Sequence, residues 1–510
     1  MTVLNSYTKV TEIVTEIVES AKKFYVTTPI YYVNDVPHIG HAYTTIIADI
    51  ITRWHRLKGE DVFFLTGLDE NSIKTVQAAE AKKISNIQEY VDEMAEKFKT
   101  AWNVLDINYD DFIRTTEERH RKNVVEIIKK VYEKGDIYKG KYEGLYCEGC
   151  EAFLLEKDLI DGKCPDHKIA PKQLSEENYF FRLSKYRDQI LKYIEDNPDF
   201  VQPESRRNEM VNFLKEGLRD ISISRPNLKW GIDFPLEKGH KVWVWFDALI
   251  NYLIPNKYWP AEVHLMAKDI LRFHAITWPG MLISAGYPLP KKVFAHGYFT
   301  ISGQKMSKSL GNAIDPVHLA EKYTADAVRY CLLREIILGE DGDFSEESLK
   351  TRINTELVAN FSNLFYRTTF FLEKNFAGTV PSPKEEGERE RELKEKIKQT
   401  KEKVNSQIES LKLSEALFTI TELSSEINKY FQDKEPWKTI KTDKDATATT
   451  LYTTINAIRS LFILLYSFTP RKCEIALNAL GCKPEWEGLE EFNIKPGSKI
   501  KAEMLFKKIE

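Results

Sequence analysis

Apolar positions near the start of the chain change period within a few dozen residues. Phe24-Tyr25-Val26-Thr27-Thr28 is a short β-prone run, and a Pro- and Asn-containing loop from Pro29 to Pro37 follows it. From about His38 or Gly40 the apolar residues Ile39, Tyr43, Ile46, Ile47, Ile50, Trp54 and Leu57 recur at the three-to-four spacing of an amphipathic helix. Gly59 stops it, and Val62-Phe63-Phe64-Leu65-Thr66 reads as the next buried strand. Strand, loop, helix and parallel strand make a βαβ unit. The expected fold is therefore α/β, a doubly wound parallel-sheet (Rossmann-like) domain.

From about residue 121 to 235 this rhythm breaks, and the stretch reads as an insertion. The α/β pattern returns at Val242-Trp243-Val244-Trp245-Phe246 and Val263-His264-Leu265-Met266, followed by a helix from about Asp269 to Ala285 and a strand at Val293-Phe294-Ala295. Beyond Glu347 the chain is helical, with stretches around Ser348–Lys374, Glu385–Leu411, Ser414–Gln432 and Ala446–Ser467, which predicts a helix bundle. The dense alternating charge of Lys384–Lys403 reads as a solvated helix face.

Length and charge narrow the picture. A chain of 510 residues exceeds one hydrophobic core, so several domains are expected. The net charge of −4 means that any nucleic-acid contact must use a local basic surface. No apolar run of membrane-spanning length stands out, so no membrane partner is expected. Residues 1–23 contain Glu12, Glu16 and Glu19 but no Arg, unlike a transit peptide, and a cytoplasmic protein is the default.

Three segments carry chemistry. His38-Ile39-Gly40-His41 lies where a strand gives way to a helix, whose free N–H groups and positive end favour an anion. Gly40 allows close approach of a nucleotide, and the imidazoles can donate to phosphate oxygens. Lys305-Met306-Ser307-Lys308-Ser309, between Gly303 and Gly311, offers two lysines and two hydroxyls suited to a triphosphate losing pyrophosphate. Cys147-Glu148-Gly149-Cys150 and Cys164-Pro165-Asp166-His167 present two pairs of soft ligands. Three thiolates and an imidazole complete a closed tetrahedron for a structural Zn²⁺. Cys331, Cys473 and Cys482 are scattered and read as ordinary thiols.

The first two segments, in this order and with an α/β pattern between them, resemble the class I aminoacyl-tRNA synthetases. Pro29-Ile30-Tyr31-Tyr32-Val33-Asn34, Val244–Tyr252 and Lys268-Asp269-Ile270-Leu271-Arg272-Phe273-His274 are similar to the methionyl member of that class. The resemblance covers roughly residues 24 to 510. It implies a methionine–tRNA ligase that forms methionyl-adenylate from L-methionine and Mg²⁺-ATP, then charges the terminal ribose of tRNA(Met). His38, His41, Lys305 and Lys308 would be catalytic, and Gly40, Asp269 and Phe299 would join them around ATP. Ile30, Tyr32, Asp69, Trp245, Ala248, Tyr252, Ile270, Phe273 and His274 would form the methionine pocket, with Asp69 on the ammonium. Aromatic walls suit a thioether, and a Tyr hydroxyl or His can donate weakly to sulfur.

The same resemblance implies a zinc knuckle in the insertion and an anticodon-binding bundle. Asn363, Arg367 and Trp437 would read or stack on anticodon bases, as flat aromatic and guanidinium groups grip single-stranded RNA. The implied divisions are 1–23 (extension), 24–120 (first catalytic half), 121–236 (connective insertion), 237–300 (second catalytic half), 301–350 (lysine-rich loop and stem contact) and 351–510 (helical domain). A monomer is expected, because the chain stops at Glu510 without the appended domain of some relatives. Two departures from the family pattern are Asn71-Ser72 after Glu70, where His-Gly is usual, and Ala267, where Gly is usual. A synthetase for another amino acid, a small-molecule nucleotidylyltransferase and a non-enzymatic RNA-binding scaffold remain the alternatives.

Overall fold

A computed structural model describes residues 22–510 apart from 148–151, 155, 157, 158, 166, 167, 227, 302 and 306–312. The extension up to residue 21, Cys150, His167 and Lys308 thus lie outside the described residues, and Lys305 is described by its backbone alone.

Six parallel strands form the central sheet, in the order Asp111–Arg114, Asp61–Asp69, Lys23–Tyr32, Val263–Ala267, Val293–His296, Val201–Gln202. The chain builds outward in one direction from Lys23–Tyr32, then returns beside it with Val263–Ala267. The order reverses between those two strands, which is where doubly wound folds bind ligands at the carboxyl ends of the strands. The strands are near-continuous apolar runs because both faces of a parallel sheet are covered. Gly67 is required by the tightness of this packing: a Cβ there would lie 2.0 Å from the Ile113 carbonyl oxygen.

The expected loop after Thr28 is instead more strand. Lys23–Tyr32 continues through Pro29, and its register with Asp61–Asp69 slips between Thr27 and Ile30. Proline has no N–H to give the ladder, so it sits at the irregularity. The run Val242–Phe246 also divides, with Val242 ending a strand and Val244–Ala248 forming a short helix. Short apolar runs of this kind fit a strand or a buried helix equally well. The edge strand Val201–Gln202 comes from within the inserted stretch. The rest of that stretch centres on an antiparallel sheet in the order Ala152–Leu154, Ile137–Cys147, Lys172–Phe181, Ile221–Ser222.

The helices Glu388–Glu409, Leu413–Asp433 and Lys444–Leu465 form the bundle close to the expected bounds. Lys444–Leu465 is long and apolar enough to cross a membrane by composition, but 94% of its apolar window is buried against its neighbours. One hydrophobic core runs from the Ile39–Leu57 helix into this bundle, joining Ile46 and Ile50 to Ile420 and Leu461. A second core lies on the other face of the sheet, with Trp245, Tyr252 and residues of the insertion.

A buried ion cluster crosses the first core. Arg329 and Asp49, both fully buried, meet at 2.6 Å, and Arg53 Nε reaches the same Asp49 oxygen at 2.8 Å. Arg329 also donates to the carbonyls of Ser467 (2.9 Å) and Phe468 (3.1 Å) behind the bundle helix. Burial alone would raise the Asp49 carboxyl, but Arg329 and Arg53 hold it below the ordinary range.

Candidate active site

The first signature caps its own helix. His38 is the N-cap of Ile39–Leu57, and its Nδ1 accepts from Gly40 N–H at 3.1 Å. His41 returns the interaction, its Nδ1 accepting from His38 N–H at 3.2 Å, and the two rings stack with centroids 3.8 Å apart. This is a capping box built from two imidazoles. Because each Nδ1 accepts, a neutral ring carries its hydrogen on Nε2, which becomes the donor nitrogen. Ile39 N–H donates to Ile314 O at 3.0 Å, so the chain just past residues 306–312 is fastened to the same helix start. Lys305 pairs with Thr300 in the Phe299–Ile301 and Gln304–Lys305 hairpin.

Beside this helix start, the strand ends bring the pocket residues together. Tyr32 and Asp69 are Cα partners across adjacent strands. The Tyr32 ring meets Trp245 edge-on at 6.1 Å, and Trp245 stacks on Phe273 at 3.8 Å and 9°. Ile30 and Ile270 are half-buried in the same core, and Ala248 is buried beside Trp245 on one helix. Trp245 Nε1 is buried and has no partner among the described residues.

Tyr252 and His274 close the far end, with the hydroxyl 2.7 Å from Nε2. His274 Nδ1 lies 3.0 Å from the Ile270 carbonyl, which can only accept, so the hydrogen is on Nδ1 and Tyr252 donates to Nε2. Burial pushes the His274 pKa down to about 4, so the ring is neutral. The residue types alone led us to expect that this pair donates to sulfur. Here both hydrogens are committed elsewhere, and a donor to sulfur requires the Tyr252 hydroxyl to turn from His274. Behind Tyr252, the His264 ring lies tilted at 37° with centroids 4.3 Å apart and bonds Thr27 at 2.7 Å, also held neutral by burial and by the neighbouring His274.

Asp269 is exposed at the end of Val263–Ala267, whereas Phe299 is buried between Tyr43 (4.8 Å) and Phe344 (6.4 Å). The departure at Asn71-Ser72 has structural roles. Ser72 caps the Ile73–Ala81 helix, accepting from Lys74 N–H at 3.0 Å. Asn71 donates to Asp247 Oδ2 at 2.6 Å, and His120 Nε2 bonds the other Asp247 oxygen at 2.5 Å. This buried triad ties the end of the Asp69 strand to the Trp245 helix. Sequence reasoning missed Asp247 and His120, which come from distant segments, and the only signal was the unusual Asn71.

Cys147 ends a strand of the inserted sheet, and Cys164 opens the turn in which Lys168 N–H donates to Cys164 O and Cys164 N–H to Ile169 O. Both thiols are fully buried at turn-forming ends of a small sheet, a setting that suits a structural metal. In the bundle, Arg367 lies over the Phe431 ring at 4.9 Å and donates to the side-chain amide oxygens of Asn428 and Gln432. Trp437 approaches Phe431 at 6.2 Å, and Asn363 is exposed one turn before Arg367.

A parallel nucleotide-binding sheet, a histidine-capped helix at its switch point and a C-terminal helical bundle together define a class I aminoacyl-tRNA synthetase. The family model described as "tRNA synthetases class I (M)" matches residues 24–173 and 157–369, and "Anticodon binding domain of methionyl tRNA ligase" matches 380–510. The methionine–tRNA ligase of Thermotoga maritima is 48% identical over 507 residues, covering 96% of this chain and 80% of its own. That of Streptomyces coelicolor is 42% identical, covering 94% and 93%. A Mycobacterium tuberculosis methionyl-tRNA synthetase in complex with methionyl-adenylate superposes with a TM-score of 0.92 at 38% identity, covering 95% of this chain and 99% of that one. The chain belongs to the methionyl-tRNA synthetase family.

Proposed function

We propose that the pocket described above is where this methionine–tRNA ligase activates its amino acid. As a member of that family, the protein joins L-methionine to tRNA(Met) at the expense of ATP. Methionine lies along the Trp245–Phe273 stack among Ile30, Tyr32, Ala248 and Ile270, with its ammonium on Asp69 and its sulfur toward Tyr252 and His274. The observation that carries this reading is the adjacency of Tyr32 and Asp69 at the switch point, with Trp245 against Tyr32. An apolar wall and a carboxylate there match a hydrophobic amino acid.

ATP, with Mg²⁺, lies over the start of the signature helix. His38 and His41 offer Nε2–H to the phosphates, Gly40 leaves room for the nucleotide, and Asp269 and Phe299 complete the site. Lys305 and Lys308 neutralise the departing pyrophosphate. The methionine carboxylate attacks the α-phosphorus in line, so the residues act by positioning and by electrostatic stabilisation without a covalent enzyme intermediate. A terminal ribose hydroxyl of the tRNA then attacks the adenylate carbonyl, forming the ester as the acyl–phosphate bond breaks and AMP leaves. Cys147, Cys150, Cys164 and His167 would hold a Zn²⁺ that braces the insertion. Asn363, Arg367 and Trp437 would receive anticodon bases: among the described residues the half-buried Arg367 guanidinium bonds neutral amides and no carboxylate, so its charge still attracts RNA. The domain divisions are those the resemblance implies, and the working unit is a cytoplasmic monomer.

Methionine-dependent exchange of pyrophosphate into ATP tests the reading. Exchange with methionine is expected, and exchange with a different amino acid alone would overturn the specificity. Lys308→Ala should slow adenylate formation while leaving tRNA affinity nearly unchanged.

A further inference from the structure

In the proposed pocket Asp69 takes the ammonium of the amino acid and the Trp245–Phe273 stack takes its side chain. That leaves the carboxylate, the group that attacks, without a partner. Ammonium and carboxylate sit on one carbon, so a group that holds the second must stand close to Asp69.

Lys74 stands there. Its Nζ lies over the Tyr32 ring, 4.8 Å from the centroid, and Tyr32 is the Cα partner of Asp69 on the neighbouring strand. Trp245 meets the same Tyr32 ring edge-on. Lys74 is half-buried, and among the described residues its ammonium has no carboxylate partner and no side-chain hydrogen bond. Cations at the ends of two strands of the sheet are committed by contrast. Arg114 pairs with Glu70 and with Asp92, each at 2.6 Å, and Lys268 pairs with Asp341 at 2.6 Å. A ring face is a weak partner for an ammonium partly withdrawn from water, so the Lys74 charge is available to an anion.

The backbone between Asp69 and Lys74 is anchored at several points. Glu70 N–H donates to Thr115 Oγ1 at 2.9 Å, Asn71 holds Asp247, and Ser72 Oγ accepts from Lys74 N–H at the start of the Ile73–Ala81 helix. The lysine is therefore presented at a fixed reach from Asp69.

We propose that Lys74 is a catalytic residue of the activation step, its ammonium holding one oxygen of the methionine carboxylate so that the other faces the α-phosphorus of ATP. The second oxygen forms the new bond to phosphorus as the bond from the α-phosphorus to the bridging oxygen breaks, and pyrophosphate leaves with that electron pair. The oxygen on Lys74 stays as the carbonyl oxygen of the adenylate, and no proton moves. The carboxylate loses its negative charge as the bond forms, so the lysine serves binding and orientation more than the barrier itself. The inference rests on the proposed function, since it completes the grip on that reaction's amino acid.

The test is Lys74→Gln, with L-methionine compared against L-methioninol, the amino alcohol in which a hydroxymethyl group replaces the carboxylate. In pyrophosphate exchange the KM for methionine should rise about tenfold, the scale of one charge-assisted hydrogen bond, while the KM for ATP is unchanged. The inhibition constant of methioninol should stay the same, a result that a lysine merely packed on Tyr32 would not give. An unchanged KM for methionine, an equal loss for methionine and methioninol, or a loss confined to ATP would each overturn the assignment. Absence of exchange with any amino acid in the unmodified protein would instead overturn the underlying reading.

Discussion

Two buried polar networks flank the central sheet, and they solve opposite problems. The seam on one face, Asp49 with Arg53 and Arg329, is a set of ion pairs and joins the signature helix to the bundle. The network behind the pocket, Tyr252 with His274 and His264, is uncharged. A charge in the pocket wall would oppose entry of an apolar side chain, so burial keeps the histidines neutral. The seam admits no ligand, and there each charge is neutralised by a partner and by carbonyls. Ionic networks of that kind resist removal of one member far more than exchange of the whole set.

Arg329→Ala gives the sharpest contrast. It leaves Asp49 buried with one partner fewer, and denaturant unfolding should show a loss of about 3–5 kcal/mol. The folded fraction should keep its KM for methionine. A raised KM with stability intact would erase the distinction between seam and pocket.

Next comes pH. The His274 pKa falls from 6.5 to about 4 on folding, so the unfolded chain takes up this proton first as pH drops. The stability due to the neutral ring is complete above about pH 6.5 and is lost between there and about pH 4. The disadvantage of His274→Gln should therefore shrink by about 3 kcal/mol over that window, because each pH unit between the two pKa values is worth about 1.4 kcal/mol. Asp326 near the seam, raised to about 6 by burial, works the other way, and the comparison with the variant cancels it. Asp49, held below its ordinary 3.8, keeps its contribution to lower pH than His274 does. A constant gap between wild type and variant would show that the ring is already charged.

Tyr252→Phe removes the donor to His274 Nε2 but keeps the ring. The cost should be about 1–2 kcal/mol in stability, with a raised KM for methionine and an unaltered KM for ATP. Arg53→Lys should cost least, about 1 kcal/mol, because Arg329 still faces Asp49.

Much of the frame was legible in the chain itself. The helix from Ile39, the strands at Val62 and Val263 and the three long bundle helices follow from period and punctuation, which are local signals. Val201–Gln202 was not legible, because two residues become a strand only by pairing with Val293 and Phe294. Arg329 is an ordinary position on a helical pattern until the bundle closes around it. The pocket aromatics were found through a resemblance, not through their spacing. Asp247 and His120, far apart in the chain, had no pattern to betray them. Only the departure at Asn71 marked the place where they meet.

The amide of Ile39 has a consequence for how the two signatures keep their relation. Its bond to Ile314 O, together with the pairing of Lys305 and Thr300, fixes the chain on both sides of residues 306–312. One of those fastenings is the first residue of the helix that His38 caps. The histidines and the chain that resumes at Ile314 thus share a single datum, like two instruments levelled from one benchmark. The long insertion between them can shift or lengthen without moving Ile314 from the helix start.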